Sequence, residues 1–248
     1  MITRRADLTV AAIQSIPVIG DVEANLEAAE TALAQATEGG ARLVLFPELS
    51  LTGYDLDRLD DPRLWFAPGD ARLDRLRKSA RAAGAVVVVG VPVRVGQRRY
   101  LASLALSGNG PDVVAPKSHL HGAESDIFDA GHEPVVVPVA DWSVGLAVCF
   151  DTAFAQHAET LRTAGAHAYA ASVIFTEGEE RELDQRMASR AADNNFWTIA
   201  ANLGGSPLGR RSAGGSGIWS PQGAVLARAA GRDSEIVFGT LTEASLSS

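Results

Sequence analysis

Val144-Gly145-Leu146-Ala147-Val148-Cys149-Phe150-Asp151 is a run of small and branched apolar residues that ends on a thiol and a carboxylate. A stretch this apolar reads as a strand buried on both faces. The carboxyl end of such a strand is where layered α/β proteins usually place their sites. Cys149 is the one cysteine among 248 residues, so it has no partner for an internal disulfide and cannot build a multi-thiolate metal site. It is therefore either a small packing residue or a reactive thiol.

Two other apolar runs end in the same way. Leu43-Val44-Leu45 leads into Phe46-Pro47-Glu48, and Val113-Val114-Ala115 into Pro116-Lys117. Taken singly, Glu48 reads more readily as a solvated or capping carboxylate, Lys117 as a surface ammonium and Cys149 as a buried hydrophobe. Together they are chemically coherent. A thiol is mostly protonated near neutral pH, so attack on an amide carbonyl needs a base, which Glu48 can supply. Negative charge then develops on oxygen, where Lys117 and the backbone N–H after the cysteine can hold it. The same carboxylate can return a proton to the leaving amine and activate the water that clears a thioester. The cycle needs neither metal nor cofactor, provided that folding brings three distant strand ends together.

Around these runs two periodicities alternate. Strands are expected near 8–14, 42–47, 85–93, 99–106, 134–139, 143–149, 167–174, 196–202, 216–220, 224–229 and 235–241. Leu26, Ala29, Leu33 and Ala36 fall on one face of a helix stopped by Gly39-Gly40, and Leu73, Leu76, Ala80 and Ala83 on one that ends at Gly84. Further helices are expected around 154–164 and 179–194. About eleven strands exceed what one twisted open sheet usually holds, so an α/β arrangement of two packed sheets with helices outside is the economical one. The Gly-rich stretch 204–215 reads as a surface loop exposing Arg210 and Arg211.

The bulk numbers narrow the partners. A 46% hydrophobic composition supports a large core, and no linker-like segment divides it, so one domain over 1–248 is expected. With 22 basic and 30 acidic residues the net charge is −8, which disfavours nucleic acid and acidic membranes. The longest apolar stretch, 85–93, is far short of the roughly 20 residues that cross a bilayer. The leading residues lack the pattern of a secretory signal, so a cytoplasmic location is expected. The five histidines show no metal-ligand spacing; His119 could support the lysine loop.

The order and surroundings of the three reactive residues resemble the nitrilase superfamily of carbon–nitrogen hydrolases. Phe46-Pro47-Glu48-Leu49-Ser50-Leu51-Thr52-Gly53-Tyr54 is similar to its glutamate motif, Pro116-Lys117-Ser118-His119-Leu120 to its lysine motif and Val148-Cys149-Phe150-Asp151 to its cysteine motif. Glu124 matches its second glutamate, with Phe128 and Gly131 at the usual offsets. Arg190 to Asn194, Asn202 and Gly215 to Gly223 resemble its downstream segments. Departures are Phe154-Ala155-Gln156 where the family usually has Phe-Pro-Glu, Asp193 for Glu, and Ala171 for Pro.

The resemblance implies an α-β-β-α sandwich of two mixed sheets, Cys149 as nucleophile, Glu48 as general base, Lys117 as oxyanion support and Glu124 as a second carboxylate that positions the lysine or the substrate. It implies a homo-oligomer, a homodimer in many relatives; the tail after Leu241 is short, so the partner-embracing extension of some relatives is expected to be absent. Tyr54, Phe150 and Phe175 are the candidate substrate-binding residues. Nitrile hydrolysers usually carry Trp then Glu after the cysteine, whereas Phe150-Asp151 is similar to the amidase-like and carbamoylase-like branches. The expected reaction is cleavage of a small primary amide to carboxylate and ammonia. An N-carbamoyl amine is the alternative substrate, and a catalytically silent member of the fold the alternative class.

Overall fold

The computed structural model describes residues 5–243. Residues 1–4, part of the stretch read as lacking a secretory signal, and 244–248, most of the short tail, lie outside the described residues. In chain order the elements are β1 (Leu8–Gln14), α1 (Val22–Glu38), β2 (Leu43–Leu45), α2 (Asp74–Ala83), β3 (Val86–Val95), β4 (Arg98–Leu106), β5 (Val113–Pro116), β6 (Val136–Val139) and β7 (Trp142–Val148). They continue with α3 (Ala155–Thr163), β8 (Ala168–Val173), α4 (Glu180–Asn194), β9 (Trp197–Asn202), β10 (Gly217–Trp219), β11 (Val225–Arg228) and β12 (Glu235–Leu241).

The helices start and stop where local chemistry demands. Asp21 caps α1 by accepting the Ala24 N–H, and the Gly39 N–H closes on the Gln35 carbonyl. Gly84 ends α2 at φ +60°, a left-handed turn that a glycine adopts without strain. Leu26, Ala29, Leu33 and Ala36 form the buried face of α1, as their spacing requires.

Two six-stranded sheets result, in the orders β12-β1-β2-β3-β4-β5 and β11-β10-β9-β8-β7-β6. Each has a parallel trio, β1-β2-β3 in one and β7-β8-β9 in the other, flanked by antiparallel strands. Strand alternation explains why these segments look continuously apolar. Val10, Ala12, Leu43, Leu45 and Val88 point inward against Val144, Leu146, Ala170, Ile199 and Ala201 of the facing sheet. Ala11, Ile13, Val44, Val87 and Val89 point outward under α1 and α2. Ala147, Tyr169, Ala171 and Ala200 do the same under α3 and α4. The layering is thus α-β-β-α, with apolar contact on all three interfaces.

Two expectations need correction. Among the described residues twelve strands form rather than about eleven, the addition being Val113–Pro116, too short to register as a periodic segment. The Gly-rich stretch is a surface loop only in its first half: Arg210 and Arg211 are exposed, but Ser212, Ala213 and Gly214 are buried. The reason is Asn202, whose Nδ2 donates to the Gly214 carbonyl at 2.7 Å and pulls that backbone inward.

Candidate active site

Because β5 lies antiparallel to β4, which is antiparallel to β3, β5 runs in the direction of the parallel trio. The carboxyl ends of β2, β5, β7 and β8 therefore open on one edge of the sandwich, and the residues that follow them converge. Glu48, Lys117 and Glu124 are each 1% exposed. Lys117 Nζ donates to Glu48 Oε1 at 2.8 Å and to Glu124 Oε1 at 2.7 Å. Glu124 Oε1 also accepts the Tyr54 hydroxyl at 2.7 Å, and its Oε2 accepts the His121 N–H at 2.8 Å, so both carboxylate oxygens are occupied. Leu49, Leu101, Phe128 and Val148 surround the group with apolar side chains.

Cys149 opens a turn of 3-10 helix, Cys149–Ala153. Its thiol donates to the Ile174 carbonyl at 3.6 Å, beyond the end of β8. Its φ of +42° lies in the left-handed region, and Leu49, directly after Glu48, has φ +48°. Non-glycine residues rarely take this conformation, and its occurrence beside both reactive groups means that the surrounding structure holds them in place.

The charges shift one another. Burial pushes the Cys149 thiol well above its ordinary 9.0, and the neighbouring Glu48 adds to this while Lys117 opposes it. Burial also raises the Glu48 carboxyl above 4.5; Lys117 pulls it back and Glu124 pushes it further up. For Lys117, burial disfavours the ammonium, but the charges of Glu48, Cys149 and Glu124 outweigh it and hold the group above 10.5. Tyr54 is raised far above 10.0, by burial first and then by the nearby carboxylates, so it stays a hydrogen-bond donor.

The glutamate turn depends on a missing side chain. A Cβ at Gly90 of β3 would stand 2.3 Å from both the Leu49 nitrogen and the Pro47 carbonyl oxygen. The turn carrying Glu48 therefore lies directly on the strand backbone. Gly90→Ala is expected to cost about 1–3 kcal/mol and to lower turnover about 100-fold by displacing the acid. Thermal unfolding and kcat of the purified variant check the two effects.

Among the substrate-binding candidates, Tyr54 and Phe150 are half-buried at the site. Phe150 lies 4.7 Å from the His121 ring and 5.3 Å from that of Phe154. Phe175 is buried under α4 with Leu183 and Met187. Three contributors escape sequence reading. Asn202 Oδ1 accepts the Phe175 N–H at 2.8 Å and its Nδ2 donates to the Phe175 carbonyl at 3.1 Å, fixing the segment whose Ile174 carbonyl meets the thiol. The Arg186 guanidinium of α4 stands 5.8 Å from the Phe150 ring and 5.4 Å from that of Phe175. Arg190 donates to the carbonyls of Thr152 and Ala153 at 3.1 and 3.3 Å, tying down the cysteine turn from the other side. Asn202 and Arg190 lie in segments that carry the family resemblance, but nothing in their spacing reveals what they hold. Among the described residues no group of three or more His, Cys, Asp or Glu side chains is placed to hold a metal ion, and no helix is long and apolar enough to cross a membrane.

The model of the carbon–nitrogen hydrolase family matches residues 9–248. A protein described as a hydrolase in the pqqF 5′ region of Pseudomonas protegens is 29% identical over 238 residues, covering 94% of this chain and 82% of its own. A nitrilase of Pyrococcus abyssi is 28% identical over 232 residues, covering 92% and 87%. The solved NitN amidase of Nesterenkonia sp. AN1 superposes with a TM-score of 0.85 at 25% identity, over 96% of this chain and 94% of that one. With the family model spanning nearly the whole sequence and a cysteine at the convergence of the strand ends, the chain belongs to the carbon–nitrogen hydrolases of the nitrilase superfamily.

Proposed function

We propose that the protein hydrolyses a small primary amide to a carboxylate and ammonia through a thioester on Cys149. One observation carries the reading: a buried ammonium is gripped by two carboxylates beside the protein's single thiol. An arrangement of this kind is costly to desolvate and has no evident use in packing alone. The amidase among the structural relatives supports the same reaction class.

In the proposed cycle the Cys149 S–H proton passes to Glu48 as sulfur bonds to the amide carbon. Electrons of the carbonyl move to oxygen, where the Lys117 ammonium and the Phe150 N–H hold the charge. Collapse of this intermediate breaks the C–N bond, and Glu48 returns its proton to the departing nitrogen, releasing ammonia. Water then gives a proton to Glu48 and its oxygen to the thioester carbon. The C–S bond breaks, sulfur recovers the proton and the carboxylic acid leaves. Glu48 suits this alternation because burial lifts its carboxyl toward the working range of a general base. Glu124 takes no proton; it orients Lys117.

A second reading, an N-carbamoyl amine as substrate, has one feature in its favour. Thr152-Ala153 supply no arginine after the nucleophile, but Arg186 reaches the same turn from α4, with Nη1 3.5 Å from Thr152 Oγ1. Ammonia and carbon dioxide released from a panel of short amides and ureido compounds separate the two. The expected result is ammonia without carbon dioxide; carbon dioxide in equal amount from ureido compounds, with no turnover of amides, would replace the amide reading. A cytoplasmic homodimer is part of the same proposal, and light scattering of the purified chain measures the oligomer.

A further inference from the structure

The reacting groups belong to different sheets. Glu48 and Lys117 follow β2 and β5 in one, and Cys149 follows β7 in the other. Within a sheet the backbone ladder fixes neighbours closely. Between the sheets the core contact is apolar packing, which is strong but has no direction. The backbone bridge of Ser15 with Leu203 and the bond from the Ser216 N–H to Gln14 Oε1 join β1 to the β9 and β10 ends, beside residues other than Glu48, Lys117 and Cys149. Chemistry between an ammonium and a thiol nevertheless requires a set distance and angle.

Asp151 spans this gap. It is 1% exposed, and its Oδ2 accepts the Val148 N–H at 3.0 Å, within the turn that carries the nucleophile. Its Oδ1 accepts the backbone N–H groups of Ser118 at 3.1 Å and His119 at 2.8 Å, the two residues that follow Lys117. The same oxygen pairs with Nδ1 of the His119 ring at 2.9 Å, and that ring is stacked on Phe154 with centroids 3.8 Å apart. On the Oδ2 side, His157 Nε2 of α3 stands 3.7 Å away. One carboxylate thus holds the residue before the thiol and the two residues after the ammonium, through charge-assisted bonds that are short and directional. Ser103 of β4 also reaches Ser172 of β8, Oγ to Oγ at 3.0 Å, but neither serine adjoins a reacting residue in sequence.

We propose that Asp151 is a positioning residue that sets the separation and angle between the Lys117 ammonium and the Cys149 thiol across the sheet interface. The proposal rests on the reading of those two groups as the reacting pair. Asp151 itself handles no substrate proton, because its oxygens are engaged by N–H groups on both sides of the gap.

Asp151→Asn tests it. The new NH2 faces backbone N–H donors on one side, so the tie is broken while size is kept. With a primary amide as substrate, kcat is expected to fall about 100-fold while KM stays within about threefold. Alkylation of Cys149 by iodoacetamide, followed by intact mass, is expected to slow in parallel. Asp151→Glu keeps the charge, moves the oxygens by one methylene and is the variant to use if Asp151→Asn does not fold; its kcat is expected to fall about tenfold by the same misplacement argument. A role confined to folding would lower Tm and leave kcat per intact thiol and the alkylation rate at wild-type values, and that result in either variant overturns the proposal. Wild-type protein inert toward every amide, with alkylation still slowed by Asp151→Asn, would instead remove the amidase reading and leave the tie standing.

Discussion

Lys117→Met is expected to destabilise the protein by about 3–5 kcal/mol, the usual cost of removing one partner from a buried charge cluster, and to reduce turnover by roughly 10²- to 10³-fold. Methionine fills the space of the lysine stem, so packing changes little. What changes is that two carboxylates, each 1% exposed, lose the cation that both contact. The loss depends on pH in a defined direction. Burial already raises the Glu48 carboxyl above 4.5, and Lys117 is the main influence that lowers it. Without the lysine the folded state holds its proton still more firmly than the unfolded state does, so the deficit is smallest in acid and grows as the pH rises through and above 4.5. In the wild type, Lys117 is held above 10.5. Its stabilisation is therefore complete below that pH and is lost as the pH climbs past it. Urea unfolding of both proteins between about pH 4 and 9 measures the difference; equal deficits at both ends would contradict the charge argument.

Cys149→Ala is expected to abolish hydrolysis, by roughly 10⁴-fold or more, as removal of a covalent nucleophile commonly does, while leaving Tm and substrate binding close to wild type. The thiol bonds the Ile174 carbonyl and the Glu48 carboxyl, and Glu48 keeps its bond to Lys117 without it, so little else is lost with the sulfur. Cys149→Ser is expected to be nearly as inactive. Burial pushes even the thiol above 9.0, so the nucleophile acts only by surrendering its proton to Glu48 during attack, and an alcohol surrenders it far less readily. The same dependence places the acid limb of kcat/KM above pH 4.5, where Glu48 loses its own proton. Isothermal titration of an amide into the alanine variant, alongside ammonia release, separates binding from chemistry.

Much of this was legible in the sequence because it was written in period and punctuation. Ala11 and Ala12, or Val87 and Val88, are both apolar because successive residues face different apolar layers, and that doubling is what marked the strands as buried on both sides. Glu48, Lys117 and Cys149 announced themselves as polar residues closing apolar runs. Asp151 closes the same run as Cys149, yet nothing in the sequence names its partners beyond β5, and Arg190 and Asn202 stand out still less, since a guanidinium and an amide that bind backbone groups far away in the chain look like any surface residue until the partners are known. β5 is marked only by the apolar run that Lys117 closes, because its four residues are too few to display a period.

The hydroxyl pair of Ser103 and Ser172 bears on how the halves find each other. Apolar faces tolerate sliding, since one methyl replaces another at little cost. Two hydroxyls enclosed among them do not, because displacement of either sheet by a single residue would turn each toward hydrocarbon with its hydrogen bond unmade, at about 1–3 kcal/mol per group. The pair thus works as a registration mark that penalises misaligned assembly more than it rewards the correct one.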